Sequence, residues 1–182
     1  ESERLKMSLD IFGYVLSDPE LKGWSGLGLA VQAYQKRALS TLHYLAALAK
    51  AQQCKIPVRL VKGAYWDSEI KKAQVMGEVD YPVFTKKINT DYSFLVCAQK
   101  LLLMRNFIYP QFASHNAHSL VSVCEIAGDN VGFEVQRLHG MGESLHIHIK
   151  NKYNVLSRVY APIGSHKELL AYLMRRLLEN GA

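Results

Sequence analysis

The feature that most constrains this chain is a regular alternation of short apolar segments with longer amphipathic ones. The apolar segments predict buried strands at residues 29–34, 56–61, 107–112, 133–138 and 155–160. The amphipathic segments predict helices at residues 2–17, 38–52, 67–76, 90–104, 118–127, 141–150 and 165–180. Because parallel strands need long crossover connections, this alternation is typical of a parallel sheet covered by helices.

Two α/β architectures fit this alternation, a doubly wound sheet and a (βα)8 barrel. The Gly26–Leu27–Gly28 segment precedes a predicted strand, whereas a dinucleotide-binding glycine loop follows one, and no Walker A motif occurs. These observations favour the barrel. Five strand–helix units cannot close a barrel of eight, which takes about 250 residues. We therefore expect a partial TIM-type barrel whose three earlier strands precede Glu1, and the absence of a starting Met agrees with this.

Composition excludes several classes of protein. Hydrophobic residues make up 49% and charged residues 21% of the 182 residues, which is ordinary globular composition rather than that of a disordered chain. The net charge is +6, but the basic residues are scattered, so we predict no nucleic-acid binding. Cys54, Cys97 and Cys124 form no close pair, which is typical of a reduced cytoplasmic protein.

Polar side chains occur at or just after every predicted strand, where a barrel carries its chemistry. They are Gln32; Arg59, Lys62, Tyr65 and Trp66; Gln111, Ser114, His115 and Asn116; Gln136 and His139; and Arg158 and Tyr160. Buried polar groups of this kind either satisfy one another structurally or bind a ligand. An arginine inside a sheet is costly without a partner, and an electron-rich ring or a phosphate would suit Arg59. The alternation of strand faces puts Lys62 on the opposite face from Arg59.

The last predicted helix contains two adjacent arginines, Arg175 and Arg176. One interpretation is a surface salt bridge between Arg175 and Glu179, which would contribute little. The other is a pair of guanidinium groups that binds a carboxylate. Spacing alone leaves both open.

Histidine pairs at His115/His118 and His146/His148 invite a metal interpretation. No carboxylate or cysteine lies at ligand spacing from either pair, and His146 and His148 point different ways on a helix. We predict no metal site, and we interpret His115 as a hydrogen-bonding residue for a ligand.

Five segments together resemble the proline dehydrogenase domain of the bacterial proline utilization A family. They are LAVQAYQKR, RLVKGAYWDSEIKKAQ, IYPQFASHNAHS, RLHGMGE and VYAPIGSHKELLAYLMRRLLENGA, and the resemblance runs over residues 1–182. It implies an FAD-containing (βα)8 barrel, of which this chain would be the C-terminal portion, with strands four to eight and the earlier strands upstream.

The resemblance also implies an activity. Members of the family oxidise L-proline to pyrroline-5-carboxylate by hydride transfer to flavin N5, and the electrons pass to a membrane quinone in this first step of proline catabolism. The implied location is cytoplasmic with peripheral association to the inner membrane. The implied parent enzyme carries a pyrroline-5-carboxylate dehydrogenase module and can oligomerise.

The resemblance assigns FAD contacts to residues along the whole chain. They are Gln32, Arg59, Lys62, Gly63, Ala64, Trp66, Thr85, Lys86, Ser114, His115, Asn116 and Glu179. Arg59 would lie near flavin N5 and O4, where a cation stabilises the reduced ring. Trp66 would lie against adenine, and Thr85 and Lys86 would hold the pyrophosphate and adenosine. Ser114 stands where the family commonly has Thr.

For the substrate, the resemblance assigns the proline carboxylate to Arg175 and Arg176. Tyr160 would pack over the proline ring, with Tyr65 and Leu138 as further walls of the pocket. The implied catalytic set is Arg59, Lys62, Tyr160, Arg175 and Arg176. Two departures stand out: an acid and a lysine of the family's earlier strands have no counterpart here, and residues 146–153 match no family motif.

Two alternatives stay open beside this interpretation. Lys62 at a strand end could form a Schiff base, as in barrel lyases. The chain could also be a catalytically inert fragment of the flavoenzyme.

Overall fold

The computed structural model of the protein describes residues 2–129 and 132–180, without the side chains of residues 178–180. Its five strands form one sheet in the order β1-β2-β3-β4-β5, and every neighbouring pair is parallel. The strands are β1 (Leu29–Gln32), β2 (Ile56–Val61), β3 (Ile108–Ala113), β4 (Glu134–Leu138) and β5 (Leu156–Tyr160). All five predicted strands are confirmed, within two residues at each end.

A helix precedes β1 and at least one follows every strand. The helices are α1 (Leu5–Leu16), α2 (Ala38–Ala51), α3 (Trp66–Val75), α4 (Lys87–Leu103), α5 (Ala117–Ala127), α6 (Glu143–Tyr153) and α7 (His166–Asn180). Short 3-10 turns occur at Ser2–Arg4 and Pro19–Leu21. The α/β alternation that the sequence predicts is therefore confirmed.

Three helices differ in extent from the prediction. Helix α1 begins at Leu5, three residues after the predicted start, because Ser2–Arg4 form a 3-10 turn. Helix α4 begins at Lys87, three residues before the predicted start at Thr90, because the extended residue Lys86 occupies the cap position. Helix α6 spans Glu143–Tyr153 rather than residues 141–150, because Gly142 and Asn154 both adopt left-handed backbone conformations that bound it. Left-handed residues interrupt a helix, and glycine and asparagine tolerate that conformation best.

Burial alternates along β2 and β3, and this alternation distinguishes the two faces of the sheet. On the helix-covered face, Val58 and Leu60 of β2 are 0% exposed, and so are Phe112 of β3 and Val135 of β4. Helices α2, α4 and α5 supply the facing core residues, including Leu45, Leu101 and Leu120. Burying a large aliphatic side chain stabilises a fold by roughly 1.5–3 kcal/mol. The opposite face, here called the inner face, therefore carries the polar strand residues.

The inner face belongs to a partial TIM-type barrel. Its edges are β1 and β5, and the guanidinium of Arg59 on β2 lies 5.1 Å from the ring centroid of Tyr160 on β5. Two strands lie between these residues, which is a separation of roughly 14 Å at the usual spacing of ~4.8 Å per strand. The contact is therefore typical of a sheet that curls toward its inner face. No described helix has the length and apolar character to cross a membrane.

The buried face of α4 predicts a large difference between two leucines of that helix. Leu101 is 0% exposed and Leu103 is 73% exposed. We expect Leu101→Ala to lower the free energy of unfolding by roughly 2–5 kcal/mol, since it leaves a cavity. Leu103→Ala should change it by about 0.5 kcal/mol or less. Urea denaturation followed by circular dichroism measures both, and equal losses would contradict the assignment of the buried face.

Candidate active site

The inner face forms a groove of about 790 Å³. Its polar lining comes from several strands and includes Arg59, Tyr109, Gln111 and Arg158. Arg59, Gln111 and Arg158 are among the polar strand residues predicted from the sequence, and the fold brings them to one surface. Gln32, the last residue of β1, is half-buried and alternates with the helix-facing Val31, so it lies on the same face.

A buried carboxylate at the start of β4 organises this face. Glu134 is 0% exposed and accepts from Nε and Nη2 of Arg158, both at 2.8 Å. It also accepts from the side-chain amides of Gln136 at 2.6 Å and Gln111 at 3.0 Å, and from the Tyr109 hydroxyl at 3.3 Å. Burial by itself would raise the pKa of Glu134, but the hydrogen bonds from Arg158 and Gln136 outweigh it and hold the pKa below its usual value.

Glu134 is not among the site residues predicted from the sequence, although Gln136, two residues later, is. The available signal was the alternation within β4, which puts Glu134 and Gln136 on one face and the apolar Val135 on the other. A carboxylate on the inner face of a barrel strand is as informative as an arginine there, because both are costly to bury alone.

Arg59 has the kind of partner that its chemistry requires. Its guanidinium lies against the ring of Tyr160, 5.1 Å from the centroid, and Tyr160 is half-buried at the end of β5. A cation on an aromatic face is stabilised by roughly 0.5–2 kcal/mol, depending on desolvation. Two residues of the predicted site thus meet on the inner face.

Lys62 lies on the other face, as the strand alternation predicts. Its Nζ donates to Oδ1 of Asp91 on α4 at 2.6 Å and lies 6.0 Å from the centroid of the Phe94 ring. Burial raises the pKa of Asp91, but the hydrogen bond from Lys62 outweighs that effect and lowers it. Asp91 is therefore the ion-pair partner of Lys62. The amine is engaged on the helix side, which counts against a Schiff-base role for Lys62.

The turn after β2 depends on a glycine. Gly63 has φ +124°, and a Cβ at this position would lie 2.6 Å from the ring of Tyr34. Only glycine is compatible with both the backbone angle and the close approach of that ring. The turn leads through Ala64 to Tyr65, which caps α3. Helix α3 thus begins at Trp66, so Asp67 and Ser68 lie in its first turn and do not cap it.

Trp66 joins this turn to the segment before α4. Its Nε1 donates to the carbonyl of Phe84 at 2.9 Å, and the residue remains 41% exposed. Thr85 and Lys86 follow Phe84 directly and are exposed. Three residues assigned to the adenosine and pyrophosphate end of FAD are therefore close together, at the N-terminus of α4.

The segment that directly follows β3, residues 114–116, is fixed by hydrogen bonds that its own side chains accept. Asn116 caps α5, since its Oδ1 accepts from the Ser119 N–H at 2.9 Å. The Oγ of Ser114 accepts from the Asn116 N–H at 3.1 Å. Nε2 of His115 accepts from the Leu138 N–H at 2.9 Å, so the proton of the neutral ring lies on Nδ1. The capping role of Asn116 occupies its carboxamide oxygen.

His146, in the segment without a family motif, ties residues 114–116 to β5. It is 1% exposed, and its Nε2 lies 3.0 Å from the carbonyl oxygen of Ser114. Because a carbonyl only accepts, Nε2 carries the proton, and Nδ1 accepts from the Ser157 hydroxyl at 3.0 Å. Burial lowers the pKa of His146 below its usual value. A neutral histidine thus fixes the backbone at Ser114.

The two arginines of α7 each contact an aromatic ring. The guanidinium of Arg175 lies 5.1 Å from the centroid of the Tyr65 ring, which brings α7 to the turn after β2. That of Arg176 lies 4.8 Å from the Tyr172 ring, one helical turn earlier. Nε of Arg175 is buried and makes no hydrogen bond within the described part of the chain. The side chain of Glu179 lies outside the described residues. Its salt bridge with Arg175 and its contact with FAD therefore stay predictions.

Capping at the start of α7 agrees with the sequence. The Ser165 N–H donates to the Glu168 carboxylate at 3.1 Å, as a capping box predicts. The hydroxyl of Ser165 also donates to that carboxylate, at 2.8 Å. These hydrogen bonds fix the start of α7, the helix that carries Arg175 and Arg176.

Two further predictions concern the pocket walls and metals. Leu138 ends β4 on the inner face and is 0% exposed, so its side chain is covered and its wall role stays a prediction. Among residues 2–129 and 132–180, no group of three or more His, Cys, Asp or Glu side chains is arranged to hold a metal ion.

Comparison with known proteins gives one consistent family. The family described as "Proline dehydrogenase" matches residues 1–182. The chain is 52% identical over 190 residues to the bifunctional protein PutA of Escherichia coli strain K12, covering 100% of this chain and 14% of that protein. It is 31% identical over 161 residues to mitochondrial proline dehydrogenase 2 of Arabidopsis thaliana, covering 82% of this chain and 33% of that protein.

Solved structures agree with the sequence comparison. A crystal structure of a bifunctional proline utilization A protein superposes with a TM-score of 0.93 at 57% identity, over 100% of this chain and 19% of the other. The protein from Bdellovibrio bacteriovorus, inactivated by N-propargylglycine, gives 0.89 at 35% identity, over 98% of this chain and 19% of the other. The chain thus spans less than a fifth of the length of these bifunctional relatives.

The buried His146 predicts a pH dependence of stability. Because its folded pKa lies below that of the unfolded chain, near 6.5, the unfolded state binds more protons below that pH. The free energy of unfolding should therefore fall as the pH drops below about 6.5 and should be unaffected by this group at higher pH. Urea denaturation at pH 8 and pH 5.5 measures the loss.

His146→Gln keeps a donor and an acceptor but does not titrate, so its loss between these two pH values should be smaller than that of the wild type. The exposed His118 provides the matched control, and His118→Gln should lose as much as the wild type. A loss in His146→Gln equal to that of the wild type would contradict the assignment.

Proposed function

The chain belongs to the proline dehydrogenase family, and from that premise we propose that it binds FAD and L-proline as part of an enzyme that oxidises L-proline to pyrroline-5-carboxylate. The observation that carries this proposal is the contact of Arg59 with Tyr160 on the inner face, at 5.1 Å. It brings a cation in the second half of β2 against an aromatic ring at the carboxyl end of β5, and barrels carry their chemistry at the carboxyl ends of their strands. Residues 1–182 would form the C-terminal portion of the barrel, with the earlier strands upstream.

The residues of the candidate site fit a flavin dinucleotide. Arg59 and Gln32 would hold the ring on the inner face, and Ser114, His115 and Asn116 would support it at the end of β3. The exposed indole of Trp66 offers a flat surface for adenine. Thr85 and Lys86 flank the N-terminus of α4, whose free N–H groups and dipole favour a pyrophosphate. When bound, the flavin would supply the two-electron acceptor that amine oxidation requires.

Arg59 would stabilise negative charge on the reduced flavin ring. Its guanidinium is held by Tyr160 and cannot lose its charge in a protein. A fixed cation beside a flavin favours the anionic reduced ring and so raises its reduction potential. Lys62 would act only indirectly, because its amine is bound to Asp91 on the helix side of β2.

Arg175 and Arg176 would bind the substrate carboxylate. A buried guanidinium N–H without an acceptor is costly, and a carboxylate oxygen would satisfy the buried Nε of Arg175. The contact of Arg175 with Tyr65 orients its planar group against the turn after β2. Tyr160 and Tyr65 would then flank the proline ring. The protein would accelerate the reaction by holding the substrate in a productive geometry.

The finer features of the activity are part of the same proposal. Electrons would pass to a membrane quinone, and the enzyme would be cytoplasmic with peripheral contact to the inner membrane. The word "bifunctional" in the names of the relatives supports a pyrroline-5-carboxylate dehydrogenase module in the same polypeptide. We propose no nucleic-acid partner and no metal for this segment.

The first test of the proposal is optical. The purified full-length gene product should show the absorbance bands of an oxidised flavin, which should bleach on anaerobic addition of L-proline. D-proline serves as the matched control and should bleach the bands far more slowly. A colourless protein, or bands that L-proline leaves unchanged, would contradict the proposal and favour the inert fragment. Borohydride trapping of a carbonyl substrate on Lys62 would instead favour the Schiff-base lyase.

The carboxylate role predicts a selective loss. Replacing a charged hydrogen-bond donor costs about 1.5–3 kcal/mol, so Arg175→Met or Arg176→Met should raise the KM for L-proline roughly 10- to 150-fold. FAD content and the flavin spectrum should stay unchanged, because neither arginine is assigned to the cofactor.

Lys167, an exposed cation near the start of the same helix, provides the control, and Lys167→Met should keep the wild-type KM. Equal losses of proline and FAD binding in the arginine variants would count against the carboxylate role. Steady-state kinetics and flavin content, measured on the same preparations, decide between these outcomes.

A further inference from the structure

Glu134 is a charged residue of the inner face to which neither the resemblance nor the proposed function gives a role. It is 0% exposed at the start of β4 and accepts five hydrogen bonds from four side chains. Every one of those side chains belongs to β3, β4 or β5. A single carboxylate thus links three adjacent strands on the surface that faces the groove.

Two of its partners adjoin the contact between Arg59 and Tyr160. Gln111 lies opposite Arg59 in the register of β2 and β3. Arg158 precedes Tyr160 by two residues in β5, so both side chains lie on the same face of that strand. Glu134 therefore holds the immediate neighbours of both members of the contact.

The charge of Arg158 explains why the neighbours of Arg59 and Tyr160 must be fixed in position. Its side chain is 56% exposed to the groove, and it is a second guanidinium on the same face as Arg59. Unrestrained, it would repel Arg59 and compete with it for the ring of Tyr160. The two-point bond to Glu134, with both distances 2.8 Å, fixes the plane of the Arg158 guanidinium and neutralises its charge.

We propose that Glu134 is a positioning residue of the oxidation site, which restrains Arg158 and Gln111 so that Arg59, rather than Arg158, packs on the ring of Tyr160. This inference rests on the proposed function, because it concerns the same inner face. Glu134 is not assigned a contact with proline or flavin. It acts through Arg158. It sets the orientation of that guanidinium, and it sets the net charge beneath the flavin ring that Arg59 would hold.

The first experiment needs no bound flavin. In the flavin-free full-length gene product labelled with ¹⁵N-arginine, the Arg59 Nε–Hε NMR signal should be displaced by the ring current of Tyr160, and Tyr160→Leu identifies that displacement. Glu134→Gln should reduce it, because Arg158 becomes able to compete for the ring. Glu125→Gln is the matched control, since Glu125 is exposed and bonded to Tyr153 on the helix side. An Arg59 signal unchanged in Glu134→Gln would overturn the proposal.

The second experiment measures the reduction potential of the flavin at equal cofactor content. Glu134→Gln removes a negative charge and leaves Arg158 uncompensated, so the midpoint potential should become more positive. The double variant Glu134→Gln/Arg158→Met removes both charges and should return it toward the wild-type value. A purely structural role would leave the potential unchanged, or would shift it equally in both variants, and either result would contradict the proposal.

Glu134→Asp covers the case in which the glutamine variant fails to fold. It keeps the charge but shortens the side chain, so the potential should stay at the wild-type value while kcat falls at least several-fold. A wild-type kcat in this variant would overturn the positioning role. Failure of the proposed function is separate, because it would appear as a wild-type protein that binds no flavin or is not reduced by L-proline, while the NMR result still stands.

Discussion

The burial of one face of a parallel sheet under helices is the constraint on which the rest of this structure depends. Val58, Leu60, Phe112 and Val135 point into the helical layer and are fully buried. Because successive side chains of a strand alternate in direction, their neighbours must point the other way. The polar residues Arg59, Gln111, Glu134 and Arg158 therefore meet on the inner face, although they come from four different strands.

Once charges are gathered in this way, each needs a partner. Arg158 is matched by Glu134, Lys62 by Asp91, and Arg59 and Arg175 by the rings of Tyr160 and Tyr65. Two types of contact are used for different purposes. The carboxylate pairs hold their cations in fixed geometry on the sheet or against a helix. The aromatic contacts leave the guanidinium edges able to bind an anion.

Much of the architecture could be predicted from local patterns. The five strands coincide with the short apolar runs of the sequence, and the alternation within β2 correctly separates Arg59 from Lys62. The starts of α3 and α4 could not be predicted as well, because Tyr65 and Lys86 cap them without a side-chain hydrogen bond. Local pattern also gives no sign that Asp91 of α4 is the partner of a lysine 29 residues away.

The candidate site likewise has one part that the sequence predicts and another that only the tertiary structure reveals. Residue types and motifs are enough to nominate Arg59, Tyr160, Arg175 and Arg176, and to assign the family. The hydrogen-bond partners of Glu134 and His146 became recognisable only when distant segments were brought together, since Arg158, Ser157 and Ser114 lie at no regular spacing from them. Local periodicity predicts on which face of the sheet a side chain lies, because that depends on the backbone alone. Which charge meets which ring or carboxylate across the groove depends on the curl of the sheet, and that is a property of all its strands together.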